Sequence, residues 1–215
     1  MKSGFAGRVL IFRNYLIFAT TSILVLTFFA RQYEFFSFDL YITLQIQQIK
    51  FAAFENLMMF LSWLGNFYQS LATLIIACLG LWYFNKKRLV SGLGISTLGA
   101  VAISEILKLI VSRPRPDSSL IHQVERFSKD DSFPSGHVLY FIGFYGFLLF
   151  LSFTLIKSKL WRNLVSGILL LMIILIGVSR IYIGSHWFSD TLGSYLIGSV
   201  WLYIVVLIFR KLGTR

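Results

Sequence analysis

Five apolar blocks dominate the chain: Tyr15–Ala30 with its apolar upstream flank, Leu89–Val111, Val138–Ile156, Leu164–Ile183 and Thr191–Phe209. A helix needs about 20 apolar residues to cross the hydrocarbon core of a bilayer, so each block is a candidate span. The stretch Phe51–Phe84 supplies a sixth. Glu55, Asn56, Gly65, Asn66 and Gln69 interrupt its first half, which places the span at Tyr68–Phe84. Residues from about Phe38 to Leu64 are then left as one or two interfacial helices. The pattern predicts an all-α, polytopic membrane helix bundle with six transmembrane helices and interfacial helices between the first and second spans. The expected organisation is a single domain, 1–215, with its catalytic core at 89–209.

Composition supports this. Hydrophobic residues make up 57% of the 215 residues and charged residues 13%, and mean hydropathy is +0.76. A soluble domain carries about 25% charged residues, so this chain lacks the polar surface to cover itself in water. The net charge of +11 does not point to nucleic acid, which needs a basic face on a folded domain; here the cations sit in short clusters between apolar blocks. Cys78, inside a span, cannot form an internal disulfide and reads as a small buried apolar residue.

Those clusters orient the chain. Suppose the amino terminus, the loops around Lys86–Arg88 and Lys157–Arg162, and the carboxyl terminus face the cytoplasm. They hold Lys2, Arg8, Arg13, Lys86, Lys87, Arg88, Lys157, Lys159, Arg162, Arg210, Lys211 and Arg215, and no acid. Glu34, Asp39, Glu55, Glu105, Asp117, Glu125, Asp130, Asp131 and Asp190 all lie in the spans or on the other side. This is the positive-inside asymmetry, with both termini inside. A cleaved signal peptide is the competing reading of the first block, but Phe28-Phe29-Ala30 is a poor cleavage site. Pro114, Pro116 and Pro134 all fall in one long polar loop, Ser112–Pro134, on the outer side.

Ionisable residues at membrane depth are costly and mark function. The outer ends of the last four spans collect them: Lys108, then Arg113-Pro114-Arg115-Pro116; Pro134-Ser135-Gly136-His137; Ser179-Arg180; and His186 with Asp190. An antiparallel bundle brings these ends to one level. Lys108, Arg115 and Arg180 match the charge of a phosphoryl group, a monoester being largely dianionic near neutral pH. Each cation about 4 Å away contributes on the order of 4 kcal/mol before desolvation, and arginine forks fit phosphate oxygens. Pro134-Ser135-Gly136 reads as a helix start, whose free N–H groups bind anions. No carboxylate cluster has the spacing of a divalent-ion site, so neither metal nor cofactor is expected. Imidazole serves as a nucleophile toward phosphorus or as an acid or base. Asp190, four residues after His186, would share its helical face and hold the Nδ1 proton; His137 would protonate the departing oxygen.

Lys108-x6-Arg115-Pro116, Pro134-Ser135-Gly136-His137 and Ser179-Arg180-x5-His186-x3-Asp190 resemble the three signatures of the type-2 phosphatidic acid phosphatase superfamily. The resemblance covers Lys108 to Asp190, and the span layout extends it to most of the chain. It implies a phosphohistidine intermediate with His186 as nucleophile, Asp190 as its orienting partner and His137 as general acid. It also implies phosphate binding by Lys108, Arg115, Ser135, Gly136 and Arg180. The repeated Arg-Pro leaves a register question, since Arg113-Pro114 competes with Arg115-Pro116; the six-residue spacing favours Arg115.

Other polar and aromatic residues have plainer roles. His122 is expected in solvent, Glu105 is expected to neutralise Lys108 from three residues away, and Trp187, Tyr182 and Phe133 are expected in an interfacial aromatic belt. The expected function is a membrane lipid phosphatase acting on phosphate or diphosphate headgroups at the outer interface. Undecaprenyl diphosphate and phosphatidylglycerophosphate are favoured; phosphatidic acid, diacylglycerol pyrophosphate and a lipid A phosphate are further candidates. Its partners would be the lipid phosphate substrate and membrane lipids, and no oligomeric state is encoded legibly. The alternative is a non-catalytic anionic-lipid binding protein or transporter, which has no need of the His186–Asp190 pair. Haloperoxidase chemistry or a soluble substrate is a third reading, disfavoured because the haloperoxidases of this superfamily are soluble.

Overall fold

The computed structural model describes residues 2–124 and 131–211. Among the described residues eight helices follow one another: α1 (Lys2–Gln32), α2 (Ser37–Ile46), α3 (Ala52–Leu64), α4 (Phe67–Tyr83), α5 (Lys87–Val111), α6 (Gly136–Leu155), α7 (Lys159–Tyr182) and α8 (Phe188–Lys211). The fold is all-helical, as the hydrophobic pattern predicts. Five helices are long and apolar enough to cross a membrane on their own. α3 and α4 pass the same test only as a pair and meet at a bend of 69°, the geometry of a broken span or a re-entrant loop. Alone, α4 has 17 residues, which at about 1.5 Å per residue falls short of a hydrocarbon core roughly 30 Å thick. The bend falls at Gly65-Asn66, where the polar interruption of the sequence lies.

The hub is α6, which packs against α5, α7 and α8. Its first twelve residues after Gly136 are nearly all buried, and it is apolar on every side, as expected of a helix enclosed by others. Contact between α5 and α6 depends on small residues. A methyl group at Gly143 would lie 2.7 Å from the Ser96 carbonyl oxygen, and the Ser96 hydroxyl donates to the Gly143 carbonyl at 2.7 Å. Close backbone approach of this kind replaces the hydrophobic drive that lipid does not supply. Outside the hub, α1 lies against α8, where the Tyr15 and Ser199 hydroxyls are 2.6 Å apart. Meanwhile α3 lies along α7.

The connectivity sorts the charges. The carboxyl end of α5, the start of α6, the carboxyl end of α7 and the start of α8 share one end of the bundle. At the other end Arg88 donates to the Phe209 carbonyl and lies over its ring, and Arg210 lies over Phe150. Glu125, Asp130 and Arg215, and the side chains of Lys2 and Arg8, lie outside what is described.

The expected aromatic belt is not where Trp187, Tyr182 and Phe133 sit. Trp187 is 1% exposed, Phe133 0% and Tyr182 7%. Trp187 stacks on Phe35 with ring centroids 5.1 Å apart. Phe133 fills the space left by Gly193, and Tyr182 packs edge-on against Phe54. These rings support the loops at the end of the bundle from within, so packing claims them rather than the lipid boundary.

Candidate active site

Four helix ends and two loops deliver the site. Lys108 lies in the last turn of α5, where Glu105 pairs with its Nζ at 2.9 Å, as the three-residue spacing suggests. The helix stops at Ser112, which adopts the left-handed conformation (φ 50°) and sends the chain into the outer loop. That loop carries Arg115 to the link between α7 and α8. There its Nη1 donates to the Ser185 carbonyl at 2.8 Å and lies 3.4 Å from His186 Nε2. Arg180, in the last turn of α7, donates from Nη1 to the Ser62 hydroxyl. Ser135 is the residue before α6. Its backbone N–H donates to Ser194 Oγ at 2.7 Å, while its buried hydroxyl has no hydrogen-bond partner. Gly136 opens α6 beside Lys108, whose Nζ would lie 3.8 Å from a methyl group there. The Ser104 hydroxyl nearby is likewise buried and unbonded.

The two histidines occupy different surroundings. His137 faces the α3–α4 bend, with Nε2 3.2 Å from Asn66 Oδ1. Its ring rests directly on Gly65, where a methyl group would come within 2.3 Å of Cδ2. His186 is 1% exposed. Burial holds its imidazole well below the usual histidine pKa, and the charges of Arg115, Arg180 and Lys108, in that order, push the same way; a main-chain hydrogen bond with Ser132 opposes them. Both nitrogens are then uncharged near neutral pH, as a nucleophile requires.

Geometry departs from expectation at the His186–Asp190 pair. His186 precedes α8, so the two do not share a helical face, and Nδ1 lies 3.7 Å from Asp190 Oδ2. The carboxylate is committed elsewhere. Oδ2 accepts the Trp187 N–H at 2.9 Å, capping α8, and the Ser132 hydroxyl at 2.5 Å. Oδ1 takes Arg113 Nη1 at 2.5 Å. Ser132 Oγ is also 3.4 Å from His186 Nδ1, between the two.

The doubled Arg-Pro divides into two assignments. Arg115 reaches the imidazole. Arg113, 1% exposed, bridges Asp190 and Asp39, the latter at 3.0 Å through Nη2. Its Nε donates to the carbonyls of Glu34 and Tyr33, at 3.1 and 3.3 Å. Ser189 completes the cluster, its N–H and hydroxyl donating to Asp39 at 2.7 Å each. Sequence spacing missed Asp39, Ser189, Ser132, Ser62 and Asn66. Asp39 carried a signal, as an acid flanked by Phe38 and Leu40 near membrane depth. The serines carried none. His122 is exposed as expected, although its backbone is tied to Gln47, which accepts its N–H and donates to its carbonyl. Among the described residues no group of three or more His, Cys, Asp or Glu could hold a metal ion.

Residues 89–214 match the PAP2 superfamily. The chain belongs to that superfamily. Three curated relatives share it at similar identity. Phosphatidylglycerophosphatase B of Bacillus subtilis is 31% identical over 109 residues, 48% of this chain and about half (49%) of that protein. An undecaprenyl-diphosphatase of Sulfolobus acidocaldarius is 28% identical over 186 residues, 86% of this chain and 84% of that one. A putative undecaprenyl-diphosphatase of Escherichia coli is 30% identical over 145 residues, covering 66% and 68%. In fold, the chain resembles the crystal structure of a transmembrane PAP2 phosphatidylglycerolphosphate phosphatase from Bacillus subtilis, with a TM-score of 0.74 at 21% identity, covering 89% of this chain and 96% of that one. It also resembles LpxE of Aquifex aeolicus, at 0.63 and 24%, covering 80% and 97%. A multi-pass membrane PAP2 phosphatase fold accounts for the helices and for where the three signatures meet.

Proposed function

We propose that this PAP2 protein hydrolyses phosphate or diphosphate groups from lipid headgroups through a phosphohistidine intermediate, without a metal. One observation carries the reading: Arg115 Nη1 stands 3.4 Å from Nε2 of a buried, uncharged His186. A guanidinium so placed disfavours an imidazolium and suits an anion bound against it. Lys108, Arg180, the start of α6 and the unbonded hydroxyl of Ser135 would complete the phosphate cradle.

In the first step the Nε2 lone pair attacks phosphorus as the bond to the leaving oxygen breaks, and His137 gives that oxygen a proton. Water then attacks the phosphohistidine, His137 takes a proton from it, and phosphate departs from Nε2. Asp190, with Arg113 neutralising its charge, orients the link that carries His186. The favoured substrates are undecaprenyl diphosphate and phosphatidylglycerophosphate, which the names of the relatives support. The positive-inside pattern supports placing the site on the non-cytoplasmic face, where a headgroup would enter from water while its tail stays in the bilayer.

The test is phosphate release by purified protein from a panel of lipid phosphates and diphosphates, with EDTA present. Release is expected to persist in EDTA and to fall about a thousandfold or more in His186→Ala. Unchanged release by that variant would remove His186 as nucleophile. Lipid binding with no release by the parent protein would favour the binding or transport alternative.

A further inference from the structure

We infer that Ser132 is a positioning residue for the reaction proposed above, its hydroxyl fixing His186 as the tautomer that carries its proton on Nδ1. The inference rests on His186 being the nucleophile, and it follows from counting donors. Asp190 takes Arg113 Nη1 on Oδ1 and the Trp187 N–H on Oδ2, so its carboxylate stands here as an acceptor. Ser132 Oγ lies 2.5 Å from Asp190 Oδ2, and a serine has one O–H to give. That proton goes to Asp190. The contact between Ser132 Oγ and His186 Nδ1 at 3.4 Å then has an acceptor on the serine side, and Nδ1 must supply the proton.

The direction of this chain decides the chemistry. With the proton on Nδ1, Nε2 holds a lone pair and faces Arg115, where the phosphoryl group would sit. The other tautomer would aim an N–H at phosphorus and could not attack. Asp190 at 3.7 Å is too far to enforce the choice itself. Ser132 is 0% exposed, so bulk solvent does not reach its hydroxyl. Its structural duty is separable: the backbone N–H donates to the Arg113 carbonyl at 2.7 Å, and substitution by alanine leaves that bond in place.

Two measurements test this. In the parent protein, nitrogen NMR of labelled histidine should show His186 with Nδ1 pyrrole-like and Nε2 pyridine-like; the reverse pattern overturns the inference. In kinetics with phosphatidylglycerophosphate in detergent micelles, Ser132→Ala should lower kcat about tenfold with KM within about twofold, the worth of one buried neutral hydrogen bond. The acid limb of its kcat/KM profile should also move to higher pH. The groups facing the ring are Arg115 from the loop, Arg180 from α7, Lys108 from α5, His137 from α6 and Asp190 from α8. Of these only Asp190 is an anion, and losing the serine lets it press directly on Nδ1. Ser132→Thr should restore most of the rate. Parental kcat and pH profile in Ser132→Ala overturn the inference, as does equal impairment of both variants with an unmoved acid limb. If His186→Ala keeps its activity, the underlying reading fails instead.

Discussion

At the scale of single residues, the site separates two imidazoles by what surrounds them. His186 is enclosed by cations and has a carboxylate only at second hand, conditions that keep it neutral, as its proposed role requires. His137 has an amide oxygen for a neighbour and lies at the mouth of α6. A lipid alkoxide needs a proton to depart, whereas phosphate leaving from a diphosphate needs one far less. General acid catalysis contributes about 10²–10⁴-fold. His137→Ala should therefore depress monoester turnover by a factor in that range and diphosphate turnover much less. Comparing kcat on phosphatidic acid and on undecaprenyl diphosphate checks this, and equal losses would take the acid role from His137. The motif spacing made both histidines legible. The means by which Asp190 reaches His186 was not, because a serine five residues upstream of His137 has no periodic relation to either partner and is placed only by the folding of the outer loop.

Among elements, the bend between α3 and α4 has the clearest functional weight. The sequence showed the interruption at Gly65-Asn66 and placed a span after it, so the existence of the break was readable from polarity alone. Its purpose was not, since nothing local relates residue 65 to residue 137. Gly65 has φ −88°, a conformation open to any residue, so replacing it tests contact rather than backbone strain. Gly65→Ala would put a methyl group 2.3 Å from the His137 ring and force it to turn. Monoester turnover should fall in the same sense as in His137→Ala, with diphosphate turnover and thermal stability little changed. Unaltered turnover on both substrates would show that the ring position there is not critical. The two arginines of the outer loop show a limit of spacing arguments. Six intervening residues after Lys108 selected Arg115, but Arg113 was readable only as a competitor. Its partners, Asp39 and Ser189, come from α2 and α8. Breaking such a buried pair by removing one member typically costs about 3–5 kcal/mol, so each of the three carries structural weight that the motif does not express.

For the whole molecule, the hydrophobic pattern located α4, α5, α6 and α8 to within three residues at each end and α7 to within five, because length and apolarity govern what crosses a bilayer, but it left α2 and α3 undivided. It mislocated Trp187, Tyr182 and Phe133, since an aromatic at a helix end suits a lipid boundary and a packed loop equally well. The charge asymmetry predicts that the end holding His186 faces away from the cytoplasm. Single cysteines at Ser118 and Lys157, both exposed at opposite ends, in a Cys78→Ser background, allow a direct reading. A membrane-impermeant maleimide applied to intact cells should label position 118 and spare 157. Labelling of 157 alone would invert the topology and deliver the headgroup from the cytoplasmic leaflet.

The match to the superfamily begins at residue 89, yet the proposed site also leans on residues before it. Asp39 holds Arg113, Ser62 takes Arg180, and Gly65 and Asn66 frame His137. The segment matched by the family model is therefore not a portable cassette. Grafted behind a foreign leader it would bring its signatures intact and leave their counterweights behind. Relatives can be exchanged as chimaeras only if the junction respects these pairings across residue 89.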